Sequence, residues 1–171
     1  NAERFGEYMG FIARNFGEDL ENLVSINEPW CVAWLSHYLG EHAPGLRDLN
    51  RAAKASHFVC LGHGLGVQAA RAETKKPIGV VLNFTPGRMA NDSDSNISAL
   101  EQYEAITNTW YLSAITKGEY PAAALRNLEA FLPHNWHNGH HFSTWAEGVL
   151  RCPSPQRHRT VHIPRTVAAP F

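Results

Sequence analysis

Asn22-Leu23-Val24-Ser25-Ile26-Asn27-Glu28-Pro29 is the stretch that decides the fold class. Its apolar centre predicts a short, mostly buried β-strand, which the proline brings to an end. A second buried strand is predicted at Pro77-Ile78-Gly79-Val80-Val81-Leu82-Asn83-Phe84, where Thr85-Pro86-Gly87 stops it. Between them the alanine-rich residues 48–72 predict a helix with Asp48 as its N-cap. Because two strands joined by a long helix are connected by a crossover, the sequence predicts an α/β fold with a parallel sheet.

Helical spacing of apolar residues marks the other elements. It predicts a helix from Phe5 to Phe16 that ends at Gly17. Further helices are predicted at about 95–117, ended by Gly118, and at about 122–132.

Glu28 is the most informative residue, because ligands bind at the carboxyl ends of strands in parallel sheets. This rule singles out Asn27-Glu28 and Asn83-Phe84. An acid, an amide and the indole of Trp30 suit a sugar: the acid can protonate a glycosidic oxygen, the amide can hold a hydroxyl and the ring can stack on a pyranose face. The alternative is a structural Glu28 paired with an arginine, with Trp30 as simple packing. The residues alone leave both interpretations open.

Composition excludes several classes of protein. The chain has 171 residues, 44% of them hydrophobic, with 15 basic and 16 acidic side chains. A net charge of -1 argues against a nucleic-acid partner, and no apolar run is long enough for a membrane helix. No signal peptide is recognised, so a cytoplasmic location is expected. Three widely spaced cysteines, Cys31, Cys60 and Cys152, are expected to be reduced and buried.

Charge and pattern both change near residue 139. Residues 1–139 carry 11 basic and 15 acidic groups, whereas residues 140–171 carry 4 basic groups and 1 acidic group and hold four prolines. We therefore expect an α/β part at 1–139 and an irregular C-terminal tail at 140–171. The tail is explained either by a reading-frame shift near Gly139 or by a genuine disordered segment.

Ser25-Ile26-Asn27-Glu28-Pro29-Trp30 resembles the Asn-Glu-Pro signature of the family-one glycoside hydrolases, the β-glucosidase family. Further stretches resemble the family in its own order and spacing, over about residues 1–139. They are Tyr38-Leu39-Gly40-Glu41-His42-Ala43-Pro44-Gly45, Ala55-Ser56-His57, Gly62-His63-Gly64, Asn108-Thr109-Trp110-Tyr111-Leu112 and Lys117-Gly118-Glu119-Tyr120-Pro121. After Leu132-Pro133 the resemblance stops.

The resemblance implies a partial (β/α)8 barrel, running from the third helix through strand four to the region of helix five. It implies that Glu28 is the general acid/base of a retaining β-glucosidase-like enzyme and that Asn27 binds the sugar 2-hydroxyl. Trp30, His42 and Asn83 fall where the family lines the leaving-group side. The expected partner is a β-glucoside or an oligosaccharide substrate, and no cofactor is implied.

A retaining glycosidase also needs a carboxylate nucleophile, about 5 to 5.5 Å from the acid. In this family it belongs to a Thr-Glu-Asn-Gly motif, which the 171 residues do not contain. We therefore expect the chain to be inactive by itself. The alternative to a function in β-glycoside hydrolysis is a non-catalytic truncated fragment or a carbohydrate-binding relic.

Three other patterns in the sequence resemble functional sites. His134, His137, His140 and His141 could surround a divalent metal, but no Cys or acidic residue lies at ligand spacing, so no metal site is predicted. Gly62-x-Gly64-x-Gly66 lies inside a predicted helix, where close packing explains it better than a nucleotide loop. Asn96-Ile97-Ser98 fits an N-glycosylation acceptor, without other signs of secretion.

Overall fold

A computed structural model describes residues 1–137 and, beyond them, only the backbone of residues 161–162. The predicted boundary at 139, His140, His141 and the predicted tail at 140–171, apart from the backbone of 161–162, lie outside these residues. The α-helices are α1 Ala2–Phe16, α2 Leu49–Glu73, α3 Asp94–Glu104, α4 Trp110–Lys117 and α5 Ala122–Leu128. The strands are β1 Leu23–Asn27, β2 Ile78–Val81, β3 Gly87–Arg88 and β4 Val161–His162. Shorter helical segments are 3-10 turns at Gly17–Asp19 and Glu129–Phe131 and π-helices at Cys31–Leu39 and Ala105–Thr109.

β1 and β2 form the parallel pair that the sequence predicts. Leu23 lies opposite Ile78 and Asn27 lies opposite Val81, with an irregularity between Val24 and Asn27. α2 makes the crossover between the strands, and the Asp48 side chain caps it by accepting a hydrogen bond from the Arg51 amide at 3.1 Å. The predicted α/β crossover is therefore confirmed. A second parallel contact joins β3 to β4 over two residues each.

Glycines let α1 and α2 pack closely against each other. A Cβ added at Gly10 would lie 3.3 Å from Ala69 Cβ, and one added at Gly66 would lie 3.0 Å from Met9 Cγ. At Gly62 an added Cβ would lie 3.6 Å from Phe5, an ordinary contact. Both glycines lie inside α2, as predicted, and close packing accounts for Gly66 but not for Gly62.

These two glycines give a matched pair of substitutions. Gly66→Ala is expected to destabilise the chain by about 1 kcal/mol, because overpacking outweighs the helix propensity gained from alanine. Gly62→Ala is expected to stabilise it by up to about 1 kcal/mol, because the helix gains propensity without a steric clash. Urea unfolding of the two variants measures the difference. Equal changes in stability would show that the two sites are packed alike.

The main core lies where α2, the first π-helix and α4 meet. The ring of Trp110 stacks on that of Tyr120 with centroids 3.8 Å apart, and both side chains are buried. Two buried hydrogen bonds lie within this core: His57 Nδ1 lies 2.9 Å from the Tyr120 hydroxyl, and Ser56 Oγ lies 3.0 Å from the Tyr111 hydroxyl. A smaller cluster around Met9, Leu23 and Ile78 joins α1 to the sheet.

Some element boundaries differ from the predictions. The second strand covers only Ile78–Val81, and the helix predicted at 95–117 is divided into α3, a π-helix and α4. Helix α5 ends at Leu128, followed by a 3-10 turn. Gly17 has a right-handed φ of -56° and lies against Thr74, so close packing and not a left-handed turn accounts for this glycine.

The segment after Glu28 is helical, and the sequence had not indicated it. Pro29 and Trp30 begin the helix, and Cys31–Leu39 continue it as a π-helix. A proline suits the first helical position, because its φ is already fixed near the helical value. Gly40, with φ of 72°, ends the segment in the left-handed conformation.

Candidate active site at the end of the first strand

The backbone of Glu28 turns sharply between β1 and the helix that begins at Pro29. Its φ of 49° is the only positive value among non-glycine residues in the described part of the chain. The Glu28 amide donates to the Val81 carbonyl at 2.9 Å, and the Glu28 carbonyl accepts from the Cys31 amide at 2.9 Å. A left-handed non-glycine residue costs of order 1–3 kcal/mol, and such strain clusters at functional sites. The sheet and the helix together hold Glu28 in this conformation.

The Glu28 carboxyl group is half-buried and contacts a thiol. Cys31 Sγ donates to Glu28 Oε2 at 3.4 Å. Over residues 1–137, no arginine or lysine forms an ion pair with Glu28. The structural alternative of a glutamate neutralised by arginine is therefore not found there. The group remains available as a proton donor or acceptor.

The other predicted site residues differ in exposure and in their partners. Asn27 is exposed at the end of β1, and Asn83 is half-buried after β2, where its Nδ2 donates to Cys31 Sγ at 3.8 Å. The structure thus joins Glu28 and Asn83 through Cys31, whose thiol is half-buried and not buried as the sequence predicts.

Trp30 and His42 differ in burial. Trp30 is half-buried and packs against the main core, as the packing interpretation expects. Its Nε1 atom is buried without a hydrogen-bond partner among the described residues. His42 is exposed in the loop after the π-helix, where its backbone amide donates to the Leu35 carbonyl at 3.2 Å. Within residues 1–137, the His42 side chain forms no hydrogen bond with Glu28.

Side chains in and next to the second π-helix hold the loop that carries Asn83. Buried Asn108 accepts from the Thr85 amide at 2.8 Å and donates to the Thr85 carbonyl at 3.1 Å. Glu104 accepts from the Gly87 amide at 2.7 Å and from the Asn108 side chain. The side chains of Asn108 and Glu104 thus bond to backbone groups of Thr85 and Gly87, as a neighbouring strand would do. The sequence indicates Asn108 only as part of a family motif, and its hydrogen bonds to Thr85 show its role.

A hydrogen-bonded pair, Ser25 and His63, anchors β1 to α2. Ser25 Oγ donates to the Gly79 carbonyl at 3.1 Å and lies 2.7 Å from His63 Nδ1. Because the single hydroxyl proton goes to Gly79, Ser25 accepts from the Nδ1–H of His63. Burial, with a smaller effect of Arg71, lowers the pKa of His63 to about 4. The imidazole is therefore neutral at pH 7 and serves as a structural contact.

Other functional features were sought in the same residues. No group of three or more His, Cys, Asp or Glu side chains in residues 1–137 could hold a metal ion. Cys31 and Cys60 are free thiols. None of the described helices has the length and apolar character needed to cross a membrane.

Known proteins resemble this chain in sequence. It is 37% identical over 133 residues to a β-glucosidase from Agrobacterium sp., covering 77% of this chain and 29% of the relative. It is 34% identical over 137 residues to β-glucosidase A from Thermotoga maritima, covering 79% of this chain and 31% of the relative. The chain thus spans about a third of the length of these relatives.

Solved structures show the same relationship. A family 1 β-glucosidase from Thermotoga maritima superposes with a TM-score of 0.80 at 32% identity, covering 86% of this chain and 33% of that one. The Thermotoga maritima enzyme has also been solved with deoxynojirimycin. Such enzymes are (β/α)8 barrels, of which this chain is a part. The sequence model of glycosyl hydrolase family 1 matches residues 1–139. This chain belongs to glycosyl hydrolase family 1.

Proposed function

We propose that this chain carries the acid/base part of a retaining β-glycosidase of the β-glucosidase type, with Glu28 as the general acid/base. The observation that carries the proposal is the half-buried Glu28 carboxyl group, which has no ion-pair partner in residues 1–137 and lies at the carboxyl end of a parallel strand. Family membership and the β-glucosidase relatives support the same chemistry. In the barrel, residues 1–139 would run from the third helix to the region of helix five.

The proposed chemistry has two steps. Glu28 first donates its proton to the glycosidic oxygen while a carboxylate nucleophile bonds to the sugar carbon, and the leaving group departs. Glu28 then takes a proton from water, which attacks the same carbon and releases the nucleophile. Because the sequence holds no Thr-Glu-Asn-Gly motif, the nucleophile would come from outside these 171 residues.

The remaining residues would position the substrate, a β-glucoside or a β-linked oligosaccharide. Asn27, exposed beside Glu28, would bind the 2-hydroxyl of the sugar. Asn83, Trp30 and His42 would line the leaving-group side. Complexes of the Thermotoga maritima enzyme with sugar-like inhibitors support a glycoside as the substrate class.

A hybrid barrel tests this proposal. Residues 1–137 replace the matching third of Thermotoga maritima β-glucosidase A, so that the host supplies the nucleophile. The hybrid is expected to hydrolyse 4-nitrophenyl β-glucoside, whereas the 171-residue chain alone is not, because hydrolysis with retention needs both carboxylates. Turnover is measured by release of 4-nitrophenol, and folding by circular dichroism.

Two results would contradict the proposal. One is turnover by the 171-residue chain alone that disappears in Glu28→Gln, since the chain would then need no outside nucleophile. The other is a folded hybrid that binds deoxynojirimycin but hydrolyses nothing.

A further inference from the structure

Three residues from two strand ends form one chain of hydrogen bonds. Asn83 Nδ2 donates to Cys31 Sγ at 3.8 Å, and Cys31 Sγ donates to Glu28 Oε2 at 3.4 Å. A thiol has one weak donor and a weakly accepting sulfur, so Cys31 can serve both neighbours at once. Glu28 follows β1 and Asn83 follows β2, and the thiol therefore links the two strand ends.

The local backbone places the thiol over the carboxyl group. Pro29 is the first helical residue, so Cys31 lies one turn above Glu28, and its amide donates to the Glu28 carbonyl at 2.9 Å. In a usual capping box the third helical residue reaches back to the capping backbone amide. Here Cys31, the third helical residue, reaches back to the side chain of Glu28, the capping residue.

The thiol is in the protonated form that this contact needs. Burial, followed by the hydrogen bond to Glu28, raises the pKa of the Cys31 thiol to about 11. At neutral pH the sulfur therefore carries its proton and donates it. Glu28 Oε1, in contrast, has no hydrogen-bond partner among the described residues.

We propose that Cys31 is a positioning residue for Glu28: it holds Oε2 and leaves Oε1 to exchange the proton with the glycosidic oxygen. The proposal rests on the proposed function of Glu28 and extends it. Asn83 orients the thiol from the other strand end. If Cys31 only filled space, it would make neither contact, and serine, which is smaller and more polar, would replace it poorly.

The first test uses the full 171-residue chain and needs no activity. Iodoacetamide labelling of Cys31 is followed at pH 8.5 by peptide mass spectrometry, which separates Cys31 from the other cysteines. Glu28→Gln has the same shape but no negative charge, so the thiolate forms more easily and labelling is expected to be about tenfold faster. Glu41→Gln, an exposed glutamate in the following loop, is the control and should not change the rate. An equal rate in Glu28→Gln and the unsubstituted chain would overturn the proposed contact.

The second test uses the hybrid barrel and the pH dependence of kcat. Cys31→Ala is expected to lower kcat about five- to tenfold with little change in KM, because a hydrogen bond to a charged group is lost. The alkaline limb should move to higher pH, since the ionised carboxylate loses a donor. Cys31→Ser keeps a donor and should restore both the rate and the limb.

The outcomes separate the two proposals. If Cys31→Ala and Cys31→Ser are impaired equally, or neither is, Cys31 does not position Glu28. If Glu28→Gln leaves the hybrid fully active, the proposed function itself is wrong, whatever Cys31 does.

Discussion

Glu28→Ala in the hybrid barrel is expected to lower kcat/KM for a β-glucoside with a poor leaving group by about 10²–10⁴-fold. That is the usual contribution of a positioned acid or base. The loss should be much smaller for 2,4-dinitrophenyl β-glucoside, because this leaving group departs without needing a proton. Steady-state kinetics on each substrate give the ratio of kcat/KM in the unsubstituted hybrid to kcat/KM in the variant.

The control for this prediction is Glu41→Ala. Glu41 is an exposed glutamate of the loop after the first π-helix. It should leave both ratios near one. Equal losses on the two substrates in Glu28→Ala would mean that Glu28 supports the fold or the sugar and does not transfer the proton.

Acid is expected to destabilise the 171-residue chain by about 3 kcal/mol between pH 7 and pH 4 through His63 alone. Burial lowers the pKa of the folded imidazole from 6.5 to about 4. The unfolded chain therefore binds the proton first, so the stability present above pH 6.5 is lost as the pH falls towards 4. Urea unfolding at several pH values measures the slope of the free energy of unfolding against pH.

Two variants separate this effect from general acid sensitivity. His63→Gln should be less stable at pH 7 but should show a flatter pH dependence, because the titrating group is gone. His42→Gln, which removes an exposed histidine, should keep the original slope. A slope unchanged in His63→Gln would assign the acid sensitivity to other groups.

Local patterns were enough to predict the elements that position the site. An apolar run stopped by Pro29 predicted β1, and a long alanine-rich stretch capped by Asp48 predicted α2. From these follow the parallel pair and the place of Glu28 at its carboxyl end. The family motifs added the chemistry, which the spacing of a single glutamate could not supply.

Contacts between distant residues could not be predicted in the same way. Cys31 and Asn83 are 52 positions apart, and Ser25 and His63 are 38 apart, so only the fold brings them together. The π-helix at Cys31–Leu39 is apolar along most of its length and lacks the polar face that marks a surface helix. Asn108 lies in an apolar helical segment, where only its bonds to Thr85 show what it does.

Azide rescue of Glu28→Ala is the most direct measurement of the role of Glu28. With an activated aryl β-glucoside, the host nucleophile can still form the glycosyl-enzyme, but no base remains to activate water. Azide needs no base, so it should restore turnover and yield β-glucosyl azide, which NMR identifies by its anomeric configuration. Turnover that azide does not change, or an α-glucosyl azide product, would contradict the assignment of Glu28 as the acid/base of a retaining enzyme.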